Sequence, residues 1–521
     1  MYAWGPVIQK LRSGESAGPS EELRVAVTFC RPGGLPGPVK SGIPLTLNNV
    51  KDFVPEEDKM NQGIDALSKL GFKLTGRGQL TASMKCTKKS FETAFDTKLT
   101  EFQLDAKENY AFYSFYFPPD NLPWTPILEE LIDDVYIQWP HMYMAPKKST
   151  SSRKKVASKS SAVGGQALPS AQPPKVNYYH LKVPSGVASL LNAKEVHLSG
   201  TTGKGIRVVM IDSGFAHGSH RFFDVNRYTS KVVLAGDAQD QNKDYFGHGT
   251  GQSANLFSLA PRAEFIGVKI EANNISDMFD INPASLLEGF YTACIQNPDI
   301  ISISAGFDMR DKESKKQRST LPNSLKALEA EILHAVASGI SVVVAAGNGG
   351  FSFPAMMPDV ISAGGVFVDQ DRNMRASDLA SAFDSKIYPD RHVPDVCGLV
   401  GMEEDEDRYI MLPIPPGCLI DIAKGVDPKS ETTTNDGWAA FSGTSAAAPQ
   451  IAGVCALLKE KNPKLKPWDI KTVLRSTARE VLAGHSNPKS SDGGMPKKAG
   501  PGYNGATGSG LVDAFRAWKQ V

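Results

Sequence analysis

A chain of 521 residues is too long for one core, so two domains or more are expected. With 41% hydrophobic and 22% charged residues it has the composition of a soluble globular protein, and a formal net charge of +1 provides no global field for nucleic acid or an anionic membrane. No apolar run is long enough to span a bilayer, so neither nucleic acid nor membrane is an expected partner.

In chain order, Leu23 to Phe29 alternates as a strand. Residues 56 to 70 read as a helix, with Met60, Ile64, Leu67 and Leu70 on one face. Leu80 to Lys85 reads as a strand, Lys88 to Phe95 as a short helix, and Leu99 to Leu104 as another strand. Residues 1–145 are therefore expected to form a small α+β domain of ferredoxin-like type. From Pro146 the chain is rich in Lys, Ser, Ala and Pro, with Arg153-Lys154-Lys155 inside. This composition cannot bury enough apolar surface to fold, and 146–178 is expected to be a basic, flexible, protease-sensitive linker.

After the linker, apolar runs at Gly205–Ile211, Phe265–Ile270, Ile300–Ser304, Ser341–Ala346 and Val360–Ala363 suit strands buried on both faces. Helical segments lie between them. In one of these, Leu325, Leu328, Ile332, Ala335 and Val336 form a face that Gly339 can end. The alternation predicts an α/β domain over 179–521, a mostly parallel sheet with helices on both faces, with ligands at the carboxyl ends of its strands. Asp212, Ser304 and Asn348 stand at such ends.

Cys30, Cys86, Cys294, Cys397, Cys418 and Cys455 show no paired spacing of the zinc or redox kind and are expected to be reduced and structural. Cys418, in Pro415-Pro416-Gly417-Cys418, is the one least expected to be inert. No metal and no cofactor is expected.

Three distant segments each set one reactive residue among glycines. Asp212 ends Val209-Met210-Ile211-Asp212-Ser213-Gly214, His248 sits in Gly247-His248-Gly249-Thr250, and Ser445 sits in Gly443-Thr444-Ser445-Ala446-Ala447-Ala448-Pro449. A serine hydroxyl is a poor nucleophile until a base takes its proton, and the base needs an anion to fix its tautomer and stabilise its charged form. Ser445 precedes an apolar helical pattern, so it is expected at a helix N-terminus, where free N–H groups favour developing negative charge. His217 and His220 are alternative imidazoles, read as a surface pair or a local packing feature. Asp237 and Asp244 fall in an expected surface loop.

A fourth motif, Val342-Val343-Val344-Ala345-Ala346-Gly347-Asn348-Gly349, completes a series spaced 36, 100 and 97 residues apart. These four, in the order Asp, His, Asn, Ser, resemble the subtilisin-like serine proteases. The resemblance implies a serine endopeptidase acting on polypeptides, with Asp212, His248 and Ser445 as its triad and Asn348 as oxyanion donor. It also implies that Ser304, Ala305 and Gly306, with Gly347, bind substrate backbone. Ser90 to Leu99 and Phe117-Pro118-Pro119…Leu122-Pro123 resemble the activation domain of the sedolisin and kumamolisin proteases. That implies a zymogen whose N-terminal domain is an intramolecular inhibitor, with its tail around Tyr143 to Lys148 threading the substrate cleft.

Two departures from the family pattern stand out. Leu256-Phe257-Ser258-Leu259-Ala260-Pro261 lacks the asparagine-rich insertion that carries calcium in many secreted relatives, so no strong calcium site is expected there. Gly401 to Asp436 is a long insertion holding Glu403-Glu404-Asp405-Glu406-Asp407, expected to be a solvated loop, or an exosite or gate near the cleft. The amino terminus, Met1-Tyr2-Ala3-Trp4-Gly5-Pro6, has no basic segment leading into an apolar stretch and cleavage site. The expected location is therefore cytoplasmic, or external after non-classical export. The competing functions are a catalytically silent interaction module on a protease scaffold and an acidic peptidase of sedolisin type.

Overall fold

The computed structural model describes residues 22–103, 114–117, 122–138, 142–143, 168–270, 284–311, 314–403 and 408–521. The N-terminal unit contains β1 (Glu22–Phe29), α1 (Glu57–Lys69), β2 (Lys73–Arg77), β3 (Thr81–Thr87), α2 (Lys88–Ala94) and β4 (Ile132–Ile137). The strands pair antiparallel in the order β2-β3-β1-β4. A short hairpin, Thr100–Gln103 with Ser114–Phe117, stands apart; Leu104 of the expected strand and Pro118 and Pro119 lie outside the described residues.

The alternation in β1 has two consequences. Val25, Val27 and Phe29 pack with Met60, Leu67 and Phe91 beneath the two helices. The other face is buried as well, because Ala26 and Leu80 join the core of the C-terminal body. The face of α1 is narrower than its spacing suggests. Met60, Ile64 and Leu67 are buried, but Leu70 falls just past the helix end and is 40% exposed.

The body is built on an eight-stranded sheet: β6 (Arg207–Asp212), β7 (Ser230–Leu234), β8 (Glu264–Lys269), β9 (Ile300–Ile303), β11 (Ser341–Ala345), β13 (Ile361–Val368), β14 (Met374–Ala376) and β15 (Val396–Leu399). The order is β7-β8-β6-β9-β11-β13-β14, with β15 also on β13. All pairs are parallel except β13–β14. Chain growth moves to one side of β6 for β7 and β8, then crosses to the other for β9 and β11. This reversal makes the carboxyl end of β6 a topological switch point, where open α/β sheets bind ligands.

Helices α3 (His248–Leu259) and α6 (Thr444–Lys461) pack together, joined by a buried bond from Gln450 Nε2 to Asn255 Oδ1 of 3.0 Å. Helices α4 (Leu286–Cys294) and α5 (Asn323–Ala337) form a second pair. The pleat of β6 assigns them to opposite faces. A Cβ added at Gly289 of α4 would meet Ile211, and one at Gly249 of α3 would meet Asp212. The N-terminal sheet lies across α4 and α5.

Two expectations are corrected. Most of the 401–436 insertion is not a solvated loop. Ile410–Pro413 pairs with Trp438–Ala440 and Leu181–Lys182, and Leu419 and Ile420 are buried in a short helix, Leu419–Gly425. Its apolar residues decide its fate; the acidic run Glu404–Asp407 lies outside the described residues. The end of the expected linker is also laid down on the body, because the buried Trp438 indole donates to the Ser170 carbonyl at 3.0 Å and Asn177 N–H donates to Glu431 at 2.8 Å. Among the described residues, no helix is long and apolar enough to cross a membrane.

Candidate active site

Asp212 ends β6 with its side chain fully buried, where an unpaired carboxylate would be costly. Its Oδ1 accepts from His248 Nδ1 at 2.7 Å and from the Ser213 N–H at 2.8 Å. His248 is the first residue of α3, after a left-handed Gly247 at φ 91°. The close approach of α3 to the strand end depends on Gly249. A Cβ there would stand 2.3 Å from Gly214 O and 2.9 Å from Asp212 Cβ. With Nδ1 turned to the carboxylate, Nε2 is the ring nitrogen that points away from Asp212.

Ser445 is the second residue of α6 and is 1% exposed. Pro449, four residues on, has no N–H, so the Ser445 carbonyl loses its helical donor. The Ser304 hydroxyl supplies that bond at 3.1 Å, while Ser445 Oγ faces the Ser304 carbonyl at 3.4 Å. Ser304 thus seats the first turn of α6 against the end of β9. Asn348 lies beside the same turn. Its Oδ1 accepts from Thr444 N–H and Thr444 Oγ, each at 3.0 Å, and the Gly347 N–H donates to that hydroxyl at 3.0 Å. With Oδ1 tethered, the amide nitrogen turns along Gly443, where an added Cβ would meet it at 2.4 Å.

Ala305 and Gly306 begin β10 (Ala305–Asp308), the middle strand of a small antiparallel sheet. One neighbour is β12 (Ser352–Phe353); the other is β5 (Met142–Tyr143), at the end of the N-terminal unit. The register sets Ala305 opposite Tyr143 and Gly306 opposite Met142. Gly306 has no room for a side chain, since a Cβ would stand 2.5 Å from Phe353 O. Residues 144–148 of the expected tail lie outside the described residues.

The structure brings Asp212 to His248, Ser304 to Ser445 and Asn348 to Thr444. His217 and His220 form no surface pair. His217 is buried among Phe223, Phe257 and Phe265, with both ring nitrogens on the hydroxyls of Ser230 and Ser253, and burial pushes it down to about 3. His220 Nδ1 caps a short helix by accepting the Phe222 N–H.

Asp244 is the residue the sequence reading missed. It is not in a surface loop but is 3% exposed. Oδ1 accepts from Ser213 Oγ at 2.9 Å and Gly247 N–H at 2.8 Å; Oδ2 accepts from Thr250 N–H at 2.9 Å and Thr250 Oγ at 2.6 Å. Burial raises its carboxyl above the usual range, and the bonds from Thr250, Gly247 and Ser213 oppose that rise. No capping rule marks it, because Gly247 is itself the N-cap of α3 and Asp244 lies three residues before it. Asp237 is partly exposed and pairs with Arg24 and Lys85 of the N-terminal unit. Cys418 is buried against Gly247, and burial pushes its thiol well above the ordinary range, so it stays protonated at neutral pH. Among the described residues, all six cysteines are free, and no group of three or more His, Cys, Asp or Glu is arranged to hold a metal.

The profile of the subtilase family matches residues 203–510, more than half the chain. Subtilisin NAT of Bacillus subtilis subsp. natto is 28% identical over 313 residues, an overlap covering 58% of this chain and 67% of that one. M-protease of Shouchella clausii (strain KSM-K16) is 27% identical over 348 residues, covering 64% and 70% respectively. The crystal structure of fervidolysin from Fervidobacterium pennivorans, a keratinolytic enzyme related to subtilisin, superposes with a TM-score of 0.51 at 15% identity and shares the fold. That match covers 98% of this chain but 62% of fervidolysin, so the present chain spans under two thirds of that protein's length. The chain belongs to the subtilase family of serine-type endopeptidases.

Proposed function

We propose that this chain is a serine endopeptidase made as a zymogen, working through Asp212, His248 and Ser445. The supporting observation is the buried 2.7 Å contact of Asp212 with His248 Nδ1, at a switch point shared with the first turn of Ser445's helix. Ser445 Oγ attacks the peptide carbonyl carbon while His248 Nε2 takes its proton. The carbonyl oxygen becomes an oxyanion, held by the Ser445 N–H and the Asn348 amide. Collapse breaks the C–N bond, and His248 gives its proton to the departing amine. Water then attacks the acyl-enzyme, again losing a proton to His248, and the acid is released with Ser445 restored. Asp212 orients His248 and stabilises the imidazolium.

Substrate enters as an added strand on β10, with Ser304, Ala305, Gly306 and Gly347 lining its backbone. The pairing of Met142–Tyr143 with Ala305–Gly306 supports this role, and supports the N-terminal unit as an inhibitor already seated there. In this reading the unit is an activation domain like that of the sedolisins, spanning 1–145, with the catalytic domain beginning near 179. Self-cleavage is expected within a few bonds after Tyr143 or in the following linker.

The test is to express Ser445→Ala beside the parent chain and purify them separately. The parent should process itself and, once processed, take a fluorophosphonate label at Ser445; the variant should do neither. Identical processing of both chains refutes self-cleavage, and an unlabelled processed parent refutes the nucleophile. A rate optimum in the acidic range, instead of neutral to alkaline, would favour sedolisin-type chemistry.

A further inference from the structure

Asp244 touches none of the reacting groups, yet both members of the Asp212–His248 pair are tied to it. A helix cap accepts one or two backbone N–H groups from the first turn. Asp244 does this through Gly247 and Thr250, and then does more. Its remaining two donors are hydroxyls, Ser213 and Thr250, and each links α3 to the strand end. Having given its one proton to Asp244, Ser213 Oγ can only accept, and it takes the Gly249 N–H at 2.9 Å. Having given its proton to the other carboxylate oxygen, Thr250 Oγ accepts the Ala216 N–H at 3.0 Å. The Ser213 N–H meanwhile donates to Asp212 Oδ1, the same oxygen that meets His248. The charge on Asp244 therefore sets the direction of both hydroxyls, and the hydroxyls hold 212–216 against 248–250.

We propose that Asp244 is a positioning residue of the active site: its carboxylate, acting through Ser213 and Thr250, fixes the spacing and orientation of Asp212 and His248. This inference rests on the catalytic roles proposed above. All four donors converge on one buried carboxylate, which can accept them all only when ionised. A buried negative charge behind the pair also favours the imidazolium formed when His248 takes the nucleophile's proton. Cys418, which packs against Gly247, is held neutral by burial and adds no charge of its own beside Asp244.

The test uses the full chain after cleavage of its linker, with a peptide anilide as substrate. Asp244→Asn keeps the shape but turns an N–H₂ toward two donors. It is expected to lower kcat about 10- to 100-fold with KM within about twofold. The acid limb of the kcat/KM profile is expected to move down by about half a pH unit, because the cationic imidazole loses a stabilising charge. Ser213→Ala should give a smaller loss, and the double variant should be little worse than Asp244→Asn alone, since both cut the same path. A fall in melting temperature with kcat and the acid limb unchanged would make Asp244 a helix cap only and overturn the proposal. Should Asp244→Asn fail to fold, Ser213→Ala decides, because it leaves the cap intact; parental kcat there refutes the inference. Activity surviving in both Ser445→Ala and His248→Ala would instead defeat the catalytic reading itself.

Discussion

Replacing Glu331 with alanine should loosen the N-terminal unit from the body. Glu331 lies on α5, is 3% exposed, and holds the turn between β2 and β3 from below. Its Oε1 accepts the Leu80 N–H at 2.8 Å, the Thr81 N–H at 2.9 Å and the Thr81 hydroxyl at 2.8 Å; Oε2 accepts the Gln79 N–H at 3.1 Å. The Thr81 hydroxyl keeps a partner in Tyr291 Oη at 2.7 Å, and Gln79 is partly wet. Two buried N–H groups are left without an acceptor. Each costs about 1–3 kcal/mol, and water entering the vacated space recovers part of that, leaving about 2–3 kcal/mol. Docking should therefore weaken about 30- to 150-fold. The measurement is made in the Ser445→Ala background, so that the chain does not consume itself. The linker is nicked at Arg153-Lys154-Lys155, and dissociation of the N-terminal unit is followed by dilution and size exclusion. Glu331→Gln keeps one acceptor oxygen and should lose less. A dissociation constant for Glu331→Ala within about twofold of the parent would refute the claim that these bonds hold the interface.

Asn348→Ala should lower kcat by about 10²–10³ with little change in KM, the loss that removing such a donor causes in subtilisin; a parental kcat on the same anilide excludes Asn348 from the oxyanion site. Gly249→Ala should abolish fluorophosphonate labelling in a chain that still folds by circular dichroism, because its Cβ would displace α3 from Asp212. Asp395 provides a pH dependence. Burial pushes its carboxyl up, but Lys471 at 3.0 Å and Arg391 at 2.6 Å more than offset this and hold it below the usual range. A carboxyl lowered in the folded state contributes stability above its unfolded value near 4 and loses it as pH falls through the folded value. Denaturant melts should therefore weaken below about pH 4. Asp395→Asn, which leaves the buried Arg391 and the half-buried Lys471 without their carboxylate, should cost about 3 kcal/mol at pH 7 and flatten that acid slope. An unchanged slope would remove Asp395 from the account.

The legible parts of this molecule are those in which a local sequence pattern and a tertiary requirement coincide. The five buried strands read as apolar runs because both of their faces meet helices. The glycines flanking His248 and preceding Ser445 mark backbones that approach other atoms too closely for a Cβ, so close packing is written into the motifs themselves. The insertion after Gly401 misled because its acidic run is conspicuous and its apolar residues, Ile410 to Ile414 and then Leu419 and Ile420, carry no signal of what they cover. One partner, Trp438–Ala440, is near in the chain, but the others, Leu181–Lys182 and the 245–246 backbone, lie more than 150 residues away. Asp244 misled for a related reason. In sequence it is one acidic residue among Asp237, Asp240 and Lys243, all typical of a solvated loop. Its character comes from Ser213, 31 residues earlier, and from hydroxyls whose orientation exists only once β6 and α3 have met. A motif scan finds residues that react, because chemistry restricts their type and their immediate neighbours. A residue that positions them is restricted by geometry across the fold. It becomes visible when each buried donor is traced to its acceptor, and here the traces from Gly247, Thr250 and Ser213 all end on one carboxylate.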